Sequence, residues 1–214
     1  IFAVIMLISL NSCNRNVELS LQEQMIGITS VHNARQLGGY VIGDKQIKED
    51  VLLRSARLSS LSEADSTLLA DKFRLQRIYD FRGKDELDSA PDVIPGDAAY
   101  LSLALSFASG SNNSVHFETE SERIAMLLEN ADNPLVQELC NTMYDKIFFE
   151  ETSMEVYRRF FEDLASIDTD KGAVLCHCTQ GKDRAGSASA MLLAALGAER
   201  SLIMADFELS KNYY

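Results

Sequence analysis

This chain is poor in several features that would settle its class at once. Four cysteines in 214 residues (Cys13, Cys140, Cys176 and Cys178) are too few and too unevenly placed for a disulfide scaffold. Basic charge is scarce: 20 Lys and Arg stand against 32 Asp and Glu, a net charge of −12 and a pI near 4.7. That balance argues against nucleic acid as a partner and against general adhesion to anionic membranes. No apolar run is long enough to span a bilayer, since the longest, Ile1–Ser12, falls short of the ~20 residues a helix needs. Internal repeats and long linkers are missing as well. Cys176, His177 and Cys178 are adjacent, without the spacer that closes a tetrahedral metal site, so neither metal nor cofactor is expected. What is left is one domain of ordinary size with material for a core.

The N-terminus reads as an address. Ile1–Ser12 has the length of a signal-peptide apolar region and closes on Leu10-Asn11-Ser12-Cys13. That pattern resembles a bacterial lipobox, which makes Cys13 the lipidated first residue of the mature protein. The chain begins with Ile and has no basic flank, which reads as a start lying further upstream; an uncleaved helix and a buried strand are the competing readings. Residues 1–13 are thus a signal segment, 14–24 a polar tether and 25–214 the folded body. The expected location is the cell envelope, lipid-anchored and outside the cytoplasm, or the cytoplasm if the segment is no signal. In an oxidising compartment Cys140 and Cys176 would pair only if they lay close together.

Within the body, short strands are expected at Ile28–Val31, Tyr40–Ile42, Gln46–Ile47 and Val51–Arg54, with a turn at Gly43-Asp44-Lys45. Ser62 caps a helix running to about Lys72, with early acids that suit the helix dipole. Gln76–Phe81 and Tyr100–Leu103 read as further strands. The alternation of strands and helices predicts an α/β fold. Ala108–Val115, rich in Ser, Gly and Asn, reads as a mobile surface loop. From about Glu120 to Ile167 apolar residues fall at helical spacing, notably in Glu122–Leu128 and Met154–Phe161. The aromatic cluster Phe148, Phe149, Tyr157, Phe160 and Phe161 is expected in the core, with a lid over the site as the alternative.

The most informative stretch follows the apolar run Ala173-Val174-Leu175-Cys176. It reads His177-Cys178-Thr179-Gln180-Gly181-Lys182-Asp183-Arg184-Ala185-Gly186. This is a strand that ends in a tight loop and re-enters a small-residue helix reaching Leu196. Such a loop turns backbone N–H groups inward above a helix N-terminus and makes a seat for a tetrahedral oxyanion. The same field favours the thiolate of Cys178. Arg184 can grip two phosphate oxygens with its planar fork. The implied chemistry is attack of Cys178 on phosphorus and hydrolysis of the cysteinyl-phosphate by water. Cys176 precedes the loop and reads as a small buried hydrophobe.

His-Cys-x5-Arg resembles the signature of the cysteine-based protein tyrosine phosphatase superfamily. Lys182-Asp183 narrows the likeness to the bacterial branch called tyrosine phosphatase family 3, whose loop usually reads HCxxGKDR(S/T)G and whose members include dual-specificity enzymes. Asn33-Ala34-Arg35-Gln36-Leu37-Gly38-Gly39-Tyr40 resembles the branch's NxRDLGGY segment. Arg54-Ser55-Ala56-Arg57-Leu58, Leu61–Asp65 and Tyr79-Asp80-Phe81-Arg82 are similar to its next blocks. The resemblance runs from about Asn33 to Asn212. It implies a tyrosine phosphatase-like central sheet flanked by helices, with a helical insertion before the catalytic loop and further helices after the point where this chain ends.

The resemblance also implies roles. Cys178 is the nucleophile, Arg184 the transition-state clamp, and His177, Thr179, Gln180, Gly181, Lys182 and Ala185 line the phosphate seat. His177 is read as orienting the loop rather than moving protons. Lys182 contacts a second phosphate or is a solvated charge; in related phosphatases a lysine here accompanies lipid as well as protein activity. The leaving group needs an acid: Asp183 within the loop, or Asp80 at a strand end. Each has a structural alternative, Asp183 as a loop acceptor and Asp80 as a partner for Arg35 or Arg82. Phosphotyrosine proteins or phosphoinositides are the expected substrates, and a pseudophosphatase that binds phosphate without turnover is the rival. Ala185 replaces the Ser or Thr whose hydroxyl stabilises the departing thiolate, which predicts slow phosphoenzyme breakdown. Gln36 replaces an aspartate, so any charged role there is lost.

Overall fold

The computed structural model describes residues 24–105, 129–130 and 132–213. The leader and the tether up to residue 23, the loop at 108–115 and the helical pattern at 122–128 lie outside these residues, as does the side chain of Cys140. Among the described residues no helix is long and apolar enough to cross a membrane.

Val174–His177 (β7) is buried along its whole length, as its unbroken apolar lead-in requires of a central parallel strand. It pairs parallel with Leu52–Ser55 (β4) on one side and Arg77–Asp80 (β5) on the other. Ala99–Ser102 (β6) adds parallel to β5, and Arg35–Gln36 (β1) closes the other edge antiparallel to β4. The five-stranded order is β1-β4-β7-β5-β6; Val41–Ile42 (β2) and Lys45–Gln46 (β3) form a separate hairpin. The register aligns Leu53, Leu175 and Ile78 in one row and Arg54, Cys176 and Tyr79 in the next.

Because side chains alternate along a strand, the two rows face different layers. Leu53, Leu175 and Ile78 pack with Leu69, Phe73, Ile28 and Val31. Leu69 comes from Leu68–Lys72, the wider-pitched continuation of Glu63–Thr67 (α1), and Phe73 caps its end. On the other face Tyr79, Val174 and Cys176 pack against Pro134–Phe149 (α3) and Glu151–Ala165 (α4). These helices lie between β6 and β7, where an insertion before the catalytic loop was expected. Phe160 of α4 meets Tyr79 edge-on at 4.9 Å and Phe81 at 5.5 Å; truncating such a buried ring costs about 3–5 kcal/mol. Lys84–Ser89 (α2) follows β5. Arg184–Ala195 (α5) follows β7, and Arg200–Leu209 (α6) packs on it.

The α/β architecture expected from the sequence is the one observed. Ser62 caps α1, its hydroxyl accepting the Asp65 N–H at 3.2 Å. Two readings need correction. Ile28–Val31 is not a strand: the Thr29 and Ser30 N–H groups donate to the buried Asp65 carboxylate at 3.0 and 2.8 Å instead of to a ladder, while Ile28 and Val31 still enter the core. Phe149 does not join the core; it ends α3 and is 73% exposed, whereas Tyr157 and Phe160 are buried.

Candidate active site

Cys178 stands at the carboxyl end of β7, buried to 2% exposure, and Arg184 opens α5, so loop 178–183 bridges the central strand and a twelve-residue helix. The helix dipole and its free N–H groups favour an anion there. Gly181 is required at the bend. Its φ is +68°, and a Cβ would come within 2.4 Å of the Ser55 carbonyl.

Three groups of side chains hold this loop. Behind it, Arg54 donates to the Gly181 carbonyl at 2.7 Å and to Asp206 at 2.6 Å. Asn33 donates to the Gln180 and Gly181 carbonyls at 3.3 and 3.0 Å, and Arg35 donates in turn to Asn33. Tyr40 donates to Asp206 at 2.9 Å. These bonds draw the Gln180 and Gly181 carbonyls to the back of the loop. Arg35 and Arg54 share the single carboxylate of Asp206. Burial, together with the Arg54 charge, brings the Arg35 pKa down to about 10, so its guanidinium is still charged at neutral pH. The loop therefore sits on buried positive charge.

In front, Glu86 of α2 grips Arg184 with both oxygens, 2.6 Å to each terminal nitrogen, and accepts from the Gly83 N–H at 2.9 Å. Thr179 donates to the same carboxylate and accepts from Arg184 at 3.1 Å. Burial works against the Glu86 charge, but the hydrogen bonds and charge of Arg184 outweigh it and bring the pKa down to about 2. Arg184 also donates to the Phe81 carbonyl at 3.2 Å. Its fork is thus pre-aligned.

Beside the nucleophile lies a buried acid–base cluster. His177 Nε2 is 3.2 Å from Asp92 and 3.7 Å from Asp80, while Nδ1 lies 3.4 Å from the Cys178 carbonyl. Arg82 donates to Asp80 at 2.7–3.1 Å and to Asp92 at 2.6 Å. Tyr100 donates to Asp80 as well. Burial opposes the Asp92 charge, yet His177 and Arg82 hold its pKa below the usual carboxylate value. Asp80, Asp92 and His177 could together ligate a metal ion, but Arg82 already supplies the cation. Asp80 is fully buried and spent on Arg82, the structural alternative raised for it above.

Asp183 lies elsewhere. At the start of α5, it accepts a hydrogen bond from Tyr144 of α3 at 2.6 Å and is partly exposed. Lys182 is more exposed, its ammonium 3.8 Å from Asp183. Ala185 is fully buried in the cluster that holds Cys178. Cys176 is a buried free thiol whose pKa burial pushes up to about 11. Gln36 accepts the Asp50 N–H at 2.7 Å, a structural use of the position where the charge was lost.

The structure thus gathers Cys178, Thr179, Gln180, Gly181, Arg184 and His177 around one loop and holds Asp80 in the buried cluster beside it, paired with Arg82. Sequence reasoning missed Glu86, Asp92 and Asp206. Glu86 had a signal, an acid three residues after Gly83 at a helix start; Asp92 and Asp206 had none.

Comparison with known proteins agrees with this geometry. The model of a tyrosine phosphatase family matches residues 26–214. A tyrosine-protein phosphatase of Nostoc commune is 25% identical over 167 residues, covering 78% of this chain and 50% of its own length. A Cupriavidus necator protein bearing a tyrosine-protein phosphatase name is 26% identical over 189 residues, covering 85% of this chain and 61% of its own. The chain therefore spans half to three fifths of these relatives.

Proposed function

Because the chain belongs to the tyrosine phosphatase family, we propose that it is a phosphomonoester hydrolase acting on phosphotyrosine proteins through a cysteinyl-phosphate. The observation that carries this reading is the pairing of Cys178 with an Arg184 fork already aligned by Glu86, at the two ends of one loop. The Cys178 thiolate attacks phosphorus; the P–S bond forms as the ester P–O bond breaks. Arg184 and the loop amides take the charge of the equatorial oxygens. Asp183 gives its proton to the leaving oxygen and later takes one from the attacking water. Asp183 is favoured over Asp80 because it is partly exposed, whereas Asp80 is fully buried and paired with Arg82.

The experiment is hydrolysis of an aryl phosphate by the full chain. Cys178→Ser should abolish phosphate release and Arg184→Ala should lower kcat/KM by roughly 10²–10³, the scale for losing a main charge-stabilising group. Turnover that survives Cys178→Ser would refute the reading. Lys182, exposed beside Asp183, supports a second activity on phosphoinositides or on phosphoserine and phosphothreonine; a phosphate-release panel decides between these. Ala185 favours the pseudophosphatase reading, which would show phosphopeptide binding without release. The anchor at Cys13 is a proposal of the same standing: Cys13→Ser should move the bacterially expressed full-length protein from the membrane to the soluble fraction.

A further inference from the structure

Two buried hydroxyls on the helices around the site have no part in the chemistry above. Tyr157 of α4 is 5% exposed and Ser187 of α5 is 1% exposed. Neither hydroxyl makes a well-formed hydrogen bond among the described residues. A buried hydroxyl left unpaired is costly, and a native site that keeps two of them together calls for a reason. Tyr157 belongs to the surroundings of the sulfur, and Ser187 adjoins Tyr157. Tyr157 packs in the same buried cluster as Cys178, Ala185 and Ala188, with its ring tilted against Phe81 at 6.4 Å. Burial, then the charge of Cys178, push the phenol pKa up, while Ser187 and Arg184 draw it down, so the phenol feels both the sulfur and the serine. At these positions the phenol stays protonated and remains a donor. Ala185, the residue that follows the arginine, offers only a methyl group.

We propose that the Tyr157 hydroxyl, backed by Ser187, donates to the Cys178 sulfur as it leaves the phosphoenzyme, supplying the donor that position 185 lacks. The inference rests on the cysteinyl-phosphate reading given above. In the second step water attacks phosphorus, the new P–O bond forms and the S–P bond breaks. The electron pair stays on sulfur, and the proton of the water goes to Asp183. The phenol gives up no proton; its hydrogen bond only strengthens as negative charge collects on sulfur. Ser187, at the start of α5, fixes the phenol from the other side. The insertion helix α4 would then contribute to chemistry as well as to the core.

The test is rapid-quench kinetics on an aryl phosphate with the full chain, resolving formation and breakdown of the phosphoenzyme. Tyr157→Phe keeps the ring and should slow breakdown about tenfold while changing formation less than twofold. Ser187→Ala should do the same to a smaller degree. Adding Ala185→Ser to Tyr157→Phe should restore breakdown to within twofold of the parent. Unchanged breakdown in both single variants overturns the inference, as does an equal loss in both steps, which would mark Tyr157 as a packing residue. A selective slowing that Ala185→Ser fails to relieve overturns it too. Activity that survives Cys178→Ser is a different result: it removes the phosphoenzyme reading itself, and the inference with it.

Discussion

A carboxylate with a pKa of about 2 cannot donate a proton at neutral pH, so the value of Glu86 lies in its charge. It holds the Arg184 fork flat, and a shift of even ~1 Å in a positioned group can cost about 10²-fold in rate. Glu86→Gln should therefore lower kcat by roughly 10–100-fold with a smaller change in KM, as steady-state assays on an aryl phosphate would read. The same group makes a prediction for pH. Its folded pKa lies below the ordinary 4.5, so its contribution to stability is present above 4.5 and is lost as pH falls toward 2. Urea melts at pH 6 and pH 3 should show a larger acid loss for the parent than for Glu86→Gln. Single residues were the least legible scale. Cys178 and Arg184 could be read because seven consecutive positions hold them. Glu86, 98 residues from its partner Arg184, is marked locally only as an early helix acid, which does not point to that partner.

Elements were legible where local pattern and tertiary environment agree. The apolar run before His177 became the central strand, and the small residues after Gly186 became the helix beneath the loop. Ile28–Val31 failed because its β-branched residues do enter the core, but its amides found Asp65 rather than a neighbouring strand. Periodicity reports burial and is silent on hydrogen-bond partners. The segment from Asn33 to Tyr40 was recognised by resemblance without a role, and its role turns out to be mechanical. Asn33 ties the loop carbonyls to Arg35 and to Ser210, at the end of α6. Asn33→Ala should weaken inhibition by orthovanadate about five- to tenfold, the scale of losing about 1 kcal/mol of hydrogen bonding at the seat. An unchanged inhibition constant would show that Arg54 alone holds the loop.

For the whole molecule, charge separates body from seat. The chain carries a formal −12, yet Arg35, Arg54 and Arg184 converge on one loop with Asp206 and Glu86 as their near carboxylates. Composition could show the acidic body. It could not show the convergence, because strand order β1-β4-β7-β5 brings Arg35, Arg54 and Arg184 together from three distant parts of the sequence. A tetrahedral oxyanion would bind this folded arrangement and not the unfolded chain, where the three arginines are scattered. Binding then stabilises the fold by mass action: a ligand at about 100 times its Kd adds about 2.7 kcal/mol. For a domain of this size that corresponds to a rise of about 5–10 °C in Tm. Orthovanadate or tungstate should produce such a shift in differential scanning fluorimetry. Arg184→Ala should lose most of it, while Lys84→Ala, at the exposed Lys84–Asp88 pair, should keep it. An equal shift in all three proteins would mean that the anion acts on the acidic surface at large, and the loop would lose its standing as the phosphate seat.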